Sequence, residues 1–276
     1  MQKGKTLYIS DLDGTLLNGA AELSETTARA LNRMIAEGLW FSVATARTAA
    51  SAFQILAGVR LSVPLVLMNG VLIYDPAQKQ YIQVLPLAAG TVSAVIETLQ
   101  SQGVTGLMYQ LDGSELRTYY EERAHKPIRD FIEERITRFN KKFRQTASFL
   151  DVPPEQIIYF TLLDTQDNIK RVHDALEGLS GICRSMYKDI YSPNLWYLEI
   201  HSDKASKQNG VSFLREKYGF DRIIGFGDNL NDLPLFAACD HKVAVANAKD
   251  EVKAAADVIC GTNEDDGVVR WIEERM

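Results

Sequence analysis

The sequence predicts an α/β protein whose core is an open parallel sheet, with a second, α+β domain inserted into the chain. Three observations carry this. Short, almost wholly apolar runs alternate with amphipathic stretches at both ends of the chain, the pattern of parallel strands covered on both faces. The middle changes to hairpin-like runs separated by turn residues. The length, 276 residues, corresponds to about two domains at roughly 150 residues each.

Thr6–Ile9 reads as a strand running into the turn Asp11–Gly14. A helix follows over Ser24–Glu37, with Ala28, Leu31, Met34 and Ile35 on one face, Ser24 as N-cap and Gly38 as stop. Leu39–Ala44 is a strand, Ala49–Leu56 a helix and Pro64–Met68 an apolar strand. The same alternation returns late, with strands at Arg222–Phe226, Lys242–Ala246 and Asp257–Cys260. Helices at Asn231–Cys239, Asp250–Ala255 and Asp266–Glu274 lie between and after them. Between these halves fall the runs Val71–Tyr74 and Tyr81–Leu85, a helix at Thr91–Gln100, and the strands Gly106–Leu111 and Glu115–Tyr120 joined by Asp112-Gly113. A charged helix over Pro127–Phe143, a strand at Ile157–Leu163, a helix at Asn168–Leu179 and strands at Ile182–Tyr187 and Trp196–His201 complete the middle. The expected division is a core of residues 1–82 and 190–276, with an inserted domain over 83–189.

Composition narrows the function. Hydrophobic residues make up 46%, charged 24% and aromatic 9%, which is ordinary globular chemistry. Lys and Arg number 30 against 36 Asp and Glu, a formal charge of −6, so neither nucleic acid nor an anionic membrane is an expected partner. Cys183, Cys239 and Cys260 are scattered and odd in number, which fits buried thiols in a reducing compartment. The N-terminal apolar stretch is too short for a signal peptide, and no window reaches the roughly 18 apolar residues of a membrane span. A cytoplasmic protein, monomer or weak homodimer, is expected. Lys141-Lys142-Phe143-Arg144 reads as a solvated helix face, and Tyr119, Tyr120, Tyr187, Tyr191, Trp196 and Tyr197 mostly as core packing. His125 and His201 stand alone, without metal-ligand spacing.

Two constellations carry chemistry. The first, Asp11-Leu12-Asp13-Gly14-Thr15, directly follows a strand, and in open α/β sheets ligands bind beyond the strands' carboxyl ends. Asp11, Asp13 and Glu22 also match the first, third and twelfth positions of a calcium loop. That reading fails because Leu16 occupies the position that needs glycine and a strand precedes it. The second, Gly227-Asp228-Asn229-Leu230-Asn231-Asp232, follows the strand Arg222–Phe226. If both strands share a sheet, Asp11, Asp13, Asp228 and Asp232 come together. Their mutual repulsion calls for a hard divalent cation, and oxygen ligands select Mg²⁺. An Asn-Asp pair capping the next helix is compatible with that role.

With these residues the chain resembles the haloacid dehalogenase superfamily phosphatases, specifically the Cof-type group (subfamily IIB). That group has a Rossmann-like core and a C2-type α/β cap in its middle. The resemblance spans Asp11–Leu17, Ala44-Thr45-Ala46-Arg47, Asn69-Gly70, Lys204–Lys207, Gly227–Asp232, Asn247-Ala248 and Asp266-Gly267-Val268. It implies Asp11 as the nucleophile that forms an aspartyl-phosphate, and Asp13 as the acid and base, its carbonyl also on the metal. Thr45 would hold a phosphoryl oxygen and Lys207 would balance the charge. Asp228 would bind Mg²⁺ with Asp232 behind it, and Asn231 would contact metal or phosphate. Asn69 and Arg47 are expected at the substrate, Arg47 with a surface salt bridge as its rival reading. Lys204 also falls in the lysine motif, but Ser206-Lys207 followed by a helical stretch favours Lys207. Where the family writes Thr-Gly-Arg, this chain has Ala46, a small change unless the backbone there needs positive φ. The implied activity is Mg²⁺-dependent hydrolysis of small phosphate esters, with the cap closing over the crevice to select the leaving group. A phosphomutase and a non-catalytic phosphometabolite-binding protein are the alternatives.

Overall fold

A computed structural model describes residues 4–189, 192 and 194–276; Tyr191 lies outside them. The chain forms two units, Met1–Gln83 with Ser206–Met276, and Val84–Ala205. In chain order the first unit contributes β1 (Thr6–Ser10), α1 (Glu25–Ala36), β2 (Trp40–Val43), α2 (Ala49–Ile55), β3 (Leu65–Leu67), β4 (Leu72–Asp75) and β5 (Gln80–Val84). The inserted unit follows with α3 (Ala89–Gln102), β6 (Gly106–Asp112), β7 (Glu115–Glu121), α4 (Lys126–Phe139), β8 (Arg144–Thr146), β9 (Ile157–Asp164), α5 (Gln166–Ala175), β10 (Ile182–Lys188) and β11 (Trp196–Ser202). The first unit then resumes with α6 (Lys207–Tyr218), β12 (Arg222–Gly227), α7 (Leu233–Ala237), β13 (His241–Ala244), α8 (Asp250–Ala255), β14 (Val258–Ile259) and α9 (Gly267–Glu273).

The core sheet runs β14-β13-β12-β1-β2, with every pairing parallel. Its strands bury Leu7, Ile9, Phe41, Val43, Ile223, Phe226 and Val243. The chain leaves β1 toward β2 on one side and returns through β12 on the other, so β1 and β12 flank the point where strand order reverses. That is where α/β sheets open a crevice. The registers Ser10 with Phe226 and Ser10 with Val43 end the strands level, so the following loops emerge side by side. Ser24 caps α1 by accepting a hydrogen bond from the Thr27 amide at 2.9 Å. The buried face of α1 is Thr27, Ala30, Leu31 and Met34, rotated from the expected one; Ala28 and Ile35 are only half-buried.

The inserted unit is a sheet in the order β10-β11-β9-β6-β7-β8, antiparallel except for β7 with β8. Val92, Val95, Ile96 and Leu99 of α3 and Ile169 and Val172 of α5 pack on one face against Met108, Phe160, Leu162, Leu198 and Ile200. Four expectations are corrected here. The second boundary falls after Ala205, not at 189, because β11 pairs on both edges with strands of this unit, β10 and β9. The charged helix ends at Phe139, since Asn140 adopts a left-handed cap (φ +48°). The basic run therefore lies past the helix: the Lys141 ammonium sits over the Tyr109 and Phe143 rings, at 4.8 and 5.1 Å from their centres, and Arg144 begins β8. The three cysteines are free and half-buried, where buried thiols were expected. Tyr187 stacks on Tyr197 at 5.3 Å, and Trp196 and Tyr119 pack against the unit's core. No helix among the described residues is long and apolar enough to cross a membrane.

Candidate active site

Asp11 is the first residue beyond β1, and its amide donates to the Phe226 carbonyl of β12 at 3.0 Å. The following turn is closed by the Leu17 amide on the Leu12 carbonyl at 2.9 Å. Gly14 sits at φ +78°, and a Cβ there would lie 2.5 Å from Asp228 Oδ2. Only glycine lets the turn come this close to the neighbouring strand end. Thr15 Oγ1 donates to Asp228 Oδ1 at 2.7 Å, and Asn247 Nδ2 donates to the Gly14 carbonyl at 2.7 Å. Thr15 thus ties the loop after β1 to the loop after β12, and Asn247 ties the same β1 loop to the loop after β13. Both lie in motifs visible in the sequence, yet their role needed the fold.

Lys207 opens α6 behind the cap Ser206, whose hydroxyl accepts from the Asn209 amide at 2.9 Å. Gly70, at φ +92°, packs on the Ser206 backbone so tightly that a Cβ would overlap its carbonyl oxygen. This approach drives the Lys207 side chain inward until it is 1% exposed. Its ammonium donates to Asp11 Oδ1 at 2.6 Å and to Asp232 Oδ1 at 2.7 Å. Lys204 is exposed. Asp232 Oδ2 accepts the amides of Asp228 and Asn229, each at 3.0 Å. Both oxygens of Asp232 are therefore engaged, and it braces the loop and Lys207 from behind.

Asp11, Asp228 and Asp232 each offer a carboxylate oxygen within 4.8 Å of the others. Burial first, and then Asp232, pushes the Asp11 carboxyl well above the usual range, with Lys207 opposing. Burial and Asp232 likewise push Asp228 up to about 6. Burial pulls the Lys207 ammonium down, but Asp11 and Asp232 outweigh it and raise its pKa. Three carboxylates around one ammonium leave excess negative charge. Among the described residues, the second oxygens of Asp11 and Asp228 carry no hydrogen bond, and so they are the donors open to a cation. An oxygen-only set suits a hard divalent ion.

Thr45 follows β2, 1% exposed, with its amide on the Val66 carbonyl at 2.9 Å and the Arg47 amide on its hydroxyl at 3.1 Å. The Asn69 amide donates to the Thr45 carbonyl at 3.0 Å from a left-handed turn (φ +55°), so Asn69 stands beside Thr45. Arg47 makes the salt bridge that its rival reading expected, and Asn231 stands apart from the carboxylates. The Arg47 guanidinium grips Asp13 with both its arms, Nε to Oδ2 at 2.7 Å and Nη2 to Oδ1 at 2.5 Å. Asn231 is exposed and outside the hydrogen-bonded network, because the tight turn Leu230–Asp232 aims Asp232 inward and its neighbour outward.

A family model for haloacid dehalogenase-like hydrolases matches residues 8–272. The chain belongs to that family. It is 26% identical to pyridoxal phosphate phosphatase YbhA of Escherichia coli, over 96% of this chain and 97% of that one. It is also 26% identical to 5-amino-6-(5-phospho-D-ribitylamino)uracil phosphatase YitU of Bacillus subtilis, over 99% and 98%. A haloacid dehalogenase-like hydrolase from Bacteroides thetaiotaomicron shares the fold, with a TM-score of 0.81 over 99% of this chain and all of that one, at 23% identity. Both of these curated relatives are named phosphatases, and the Bacteroides hydrolase shares this chain's fold.

Proposed function

We propose that the protein hydrolyses phosphate monoesters of small metabolites through an aspartyl-phosphate on Asp11. The observation that carries this reading is the buried Asp11–Lys207–Asp232 network beyond adjoining parallel strands. It holds one carboxylate at a crevice with its counter-charge fixed. An Asp11 oxygen attacks phosphorus, the P–O bond to the leaving group breaks, and Asp13 gives that oxygen its proton. Water then attacks phosphorus, Asp13 takes the water's proton, and the Asp11–phosphorus bond breaks to release inorganic phosphate. Lys207 and the Thr45 hydroxyl hold phosphoryl oxygens against Asp11, with Asn69 beside them. The carboxylates of Asp11 and Asp228 and the carbonyl of Asp13 would hold Mg²⁺, which when bound would supply positive charge against the phosphoryl oxygens. Residues 84–205 form the substrate-selecting domain. The relatives' substrate names, pyridoxal phosphate and a ribitylaminouracil phosphate, both join a nitrogen heterocycle to a phosphate ester. Such compounds head the panel to be tested.

The experiment follows inorganic phosphate release from 4-nitrophenyl phosphate and from that panel, with and without Mg²⁺. Turnover that needs Mg²⁺ and disappears in Asp11→Asn supports the reading. Absence of turnover, or turnover that survives Asp11→Asn, contradicts it. Isomerised product in excess over released phosphate would indicate a mutase.

A further inference from the structure

We infer that Arg47 is a positioning residue for Asp13, setting the carboxyl that moves the proton, and is not a ligand of the substrate's phosphate. The inference rests on the phosphatase reading and adds to it. Asp13 stands outside the Asp11, Asp228 and Asp232 cluster, so Lys207 does not orient it. Its two oxygens meet Nε and Nη2 of one guanidinium, at 2.7 and 2.5 Å, the bidentate geometry that fixes a carboxylate's plane as well as its place. Arg47 is itself held on all sides. Nη1 donates to Ser51 Oγ at 2.8 Å, the backbone amide to Thr45 Oγ1 at 3.1 Å, and the carbonyl accepts the Met68 amide at 3.1 Å. Its side chain is 16% exposed, while that of Asp13 is 43% exposed. The fork thus anchors from behind a carboxyl that stays reachable from solvent. An aspartate so exposed on a turn would otherwise sample several rotamers, and proton transfer tolerates little misplacement.

The test is a ratio. A leaving alkoxide needs the proton from Asp13, whereas 4-nitrophenolate leaves without it. The value of kcat/KM reports only steps through phosphoryl transfer to Asp11. Wild type, Arg47→Ala and Arg47→Lys are assayed on 4-nitrophenyl phosphate and on the fastest alkyl phosphate of the panel. The ratio of the two values does not depend on how much of a preparation is folded. In both variants, kcat/KM is expected to fall at least tenfold further on the alkyl ester than on the aryl ester. Lysine is expected not to rescue, because one ammonium cannot hold both oxygens. Equal losses on the two esters would assign Arg47 to the phosphate and overturn the inference. Recovery of the wild-type ratio by Arg47→Lys would also overturn it, leaving charge alone. Wild-type protein inactive on both esters would overturn the phosphatase reading itself, and this inference with it.

Discussion

Replacing Lys207 with methionine removes the ammonium at the centre of the site while keeping most of its stem. In the wild type that ammonium, 1% exposed, lies 2.6 Å from Asp11 and 2.7 Å from Asp232, which are themselves 5% and 0% exposed. Removing it leaves two buried carboxylates facing each other. Breaking a buried ion pair by deleting one partner costs about 3–5 kcal/mol. At about 2–4 °C per kcal/mol for a unit of this size, Tm should fall by about 6–20 °C at pH 8. The pH dependence has a definite sign. Burial already holds the Asp11 carboxyl above its usual range, and loss of Lys207 raises it further. A carboxyl whose pKa is higher folded than unfolded destabilises the fold above the folded pKa, and the penalty fades as pH falls through that value. The Lys207 pKa is also raised, so its own contribution is fully present across this range and is lost only in strong alkali. Scanning calorimetry of metal-free wild type and Lys207→Met should therefore show a gap that narrows from pH 8 to pH 5. A variant within about 1 kcal/mol of wild type at pH 8, or a gap unchanged at pH 5, would show that Lys207 does not offset the buried carboxylates.

Other consequences follow from the same geometry. Asp11→Asn keeps the shape of the site but loses the nucleophile, so steady-state phosphate release should drop at least about 10³-fold with the fold intact by circular dichroism. Thr15→Val deletes the hydroxyl that donates to Asp228 Oδ1, and the Mg²⁺ concentration for half-maximal activity should rise about 10–100-fold, with smaller change in kcat. Because Asp228 is pushed up to about 6, protons compete with the metal there. Calorimetric titration should show Mg²⁺ affinity nearly constant above pH 7 and weakening as pH falls through 6. Ser206→Ala removes the N-cap of α6 and should cost about 1 kcal/mol in urea unfolding.

Much of the site was legible because each part announces itself locally. Asp11 and Asp228 directly follow apolar strands, and the parallel sheet brings any two such strand ends level. The contacts that needed the fold join distant residues. Thr15 and Asp228 are 213 positions apart, and Arg47 and Asp13 are 34 apart. Nothing in Thr45-Ala46-Arg47 says whether its guanidinium turns toward a ligand or toward a carboxylate of its own chain. The inserted domain was read correctly in kind and wrongly in extent, since the alternation in Trp196–His201 marks a strand without saying which sheet takes it. The helix expected to reach Phe143 stopped early because a single asparagine could take the left-handed cap, a choice that periodicity does not reveal.

If the phosphoryl group passes through Asp11, it is caught there as an acyl phosphate. Acid quench during turnover, followed by borohydride reduction, converts an aspartyl-phosphate to homoserine, and peptide mass spectrometry locates it. Homoserine is expected at position 11 alone, formed only with substrate and absent from Asp11→Asn. An unmodified Asp11 in a protein that is turning over, or modification at another residue, would contradict it.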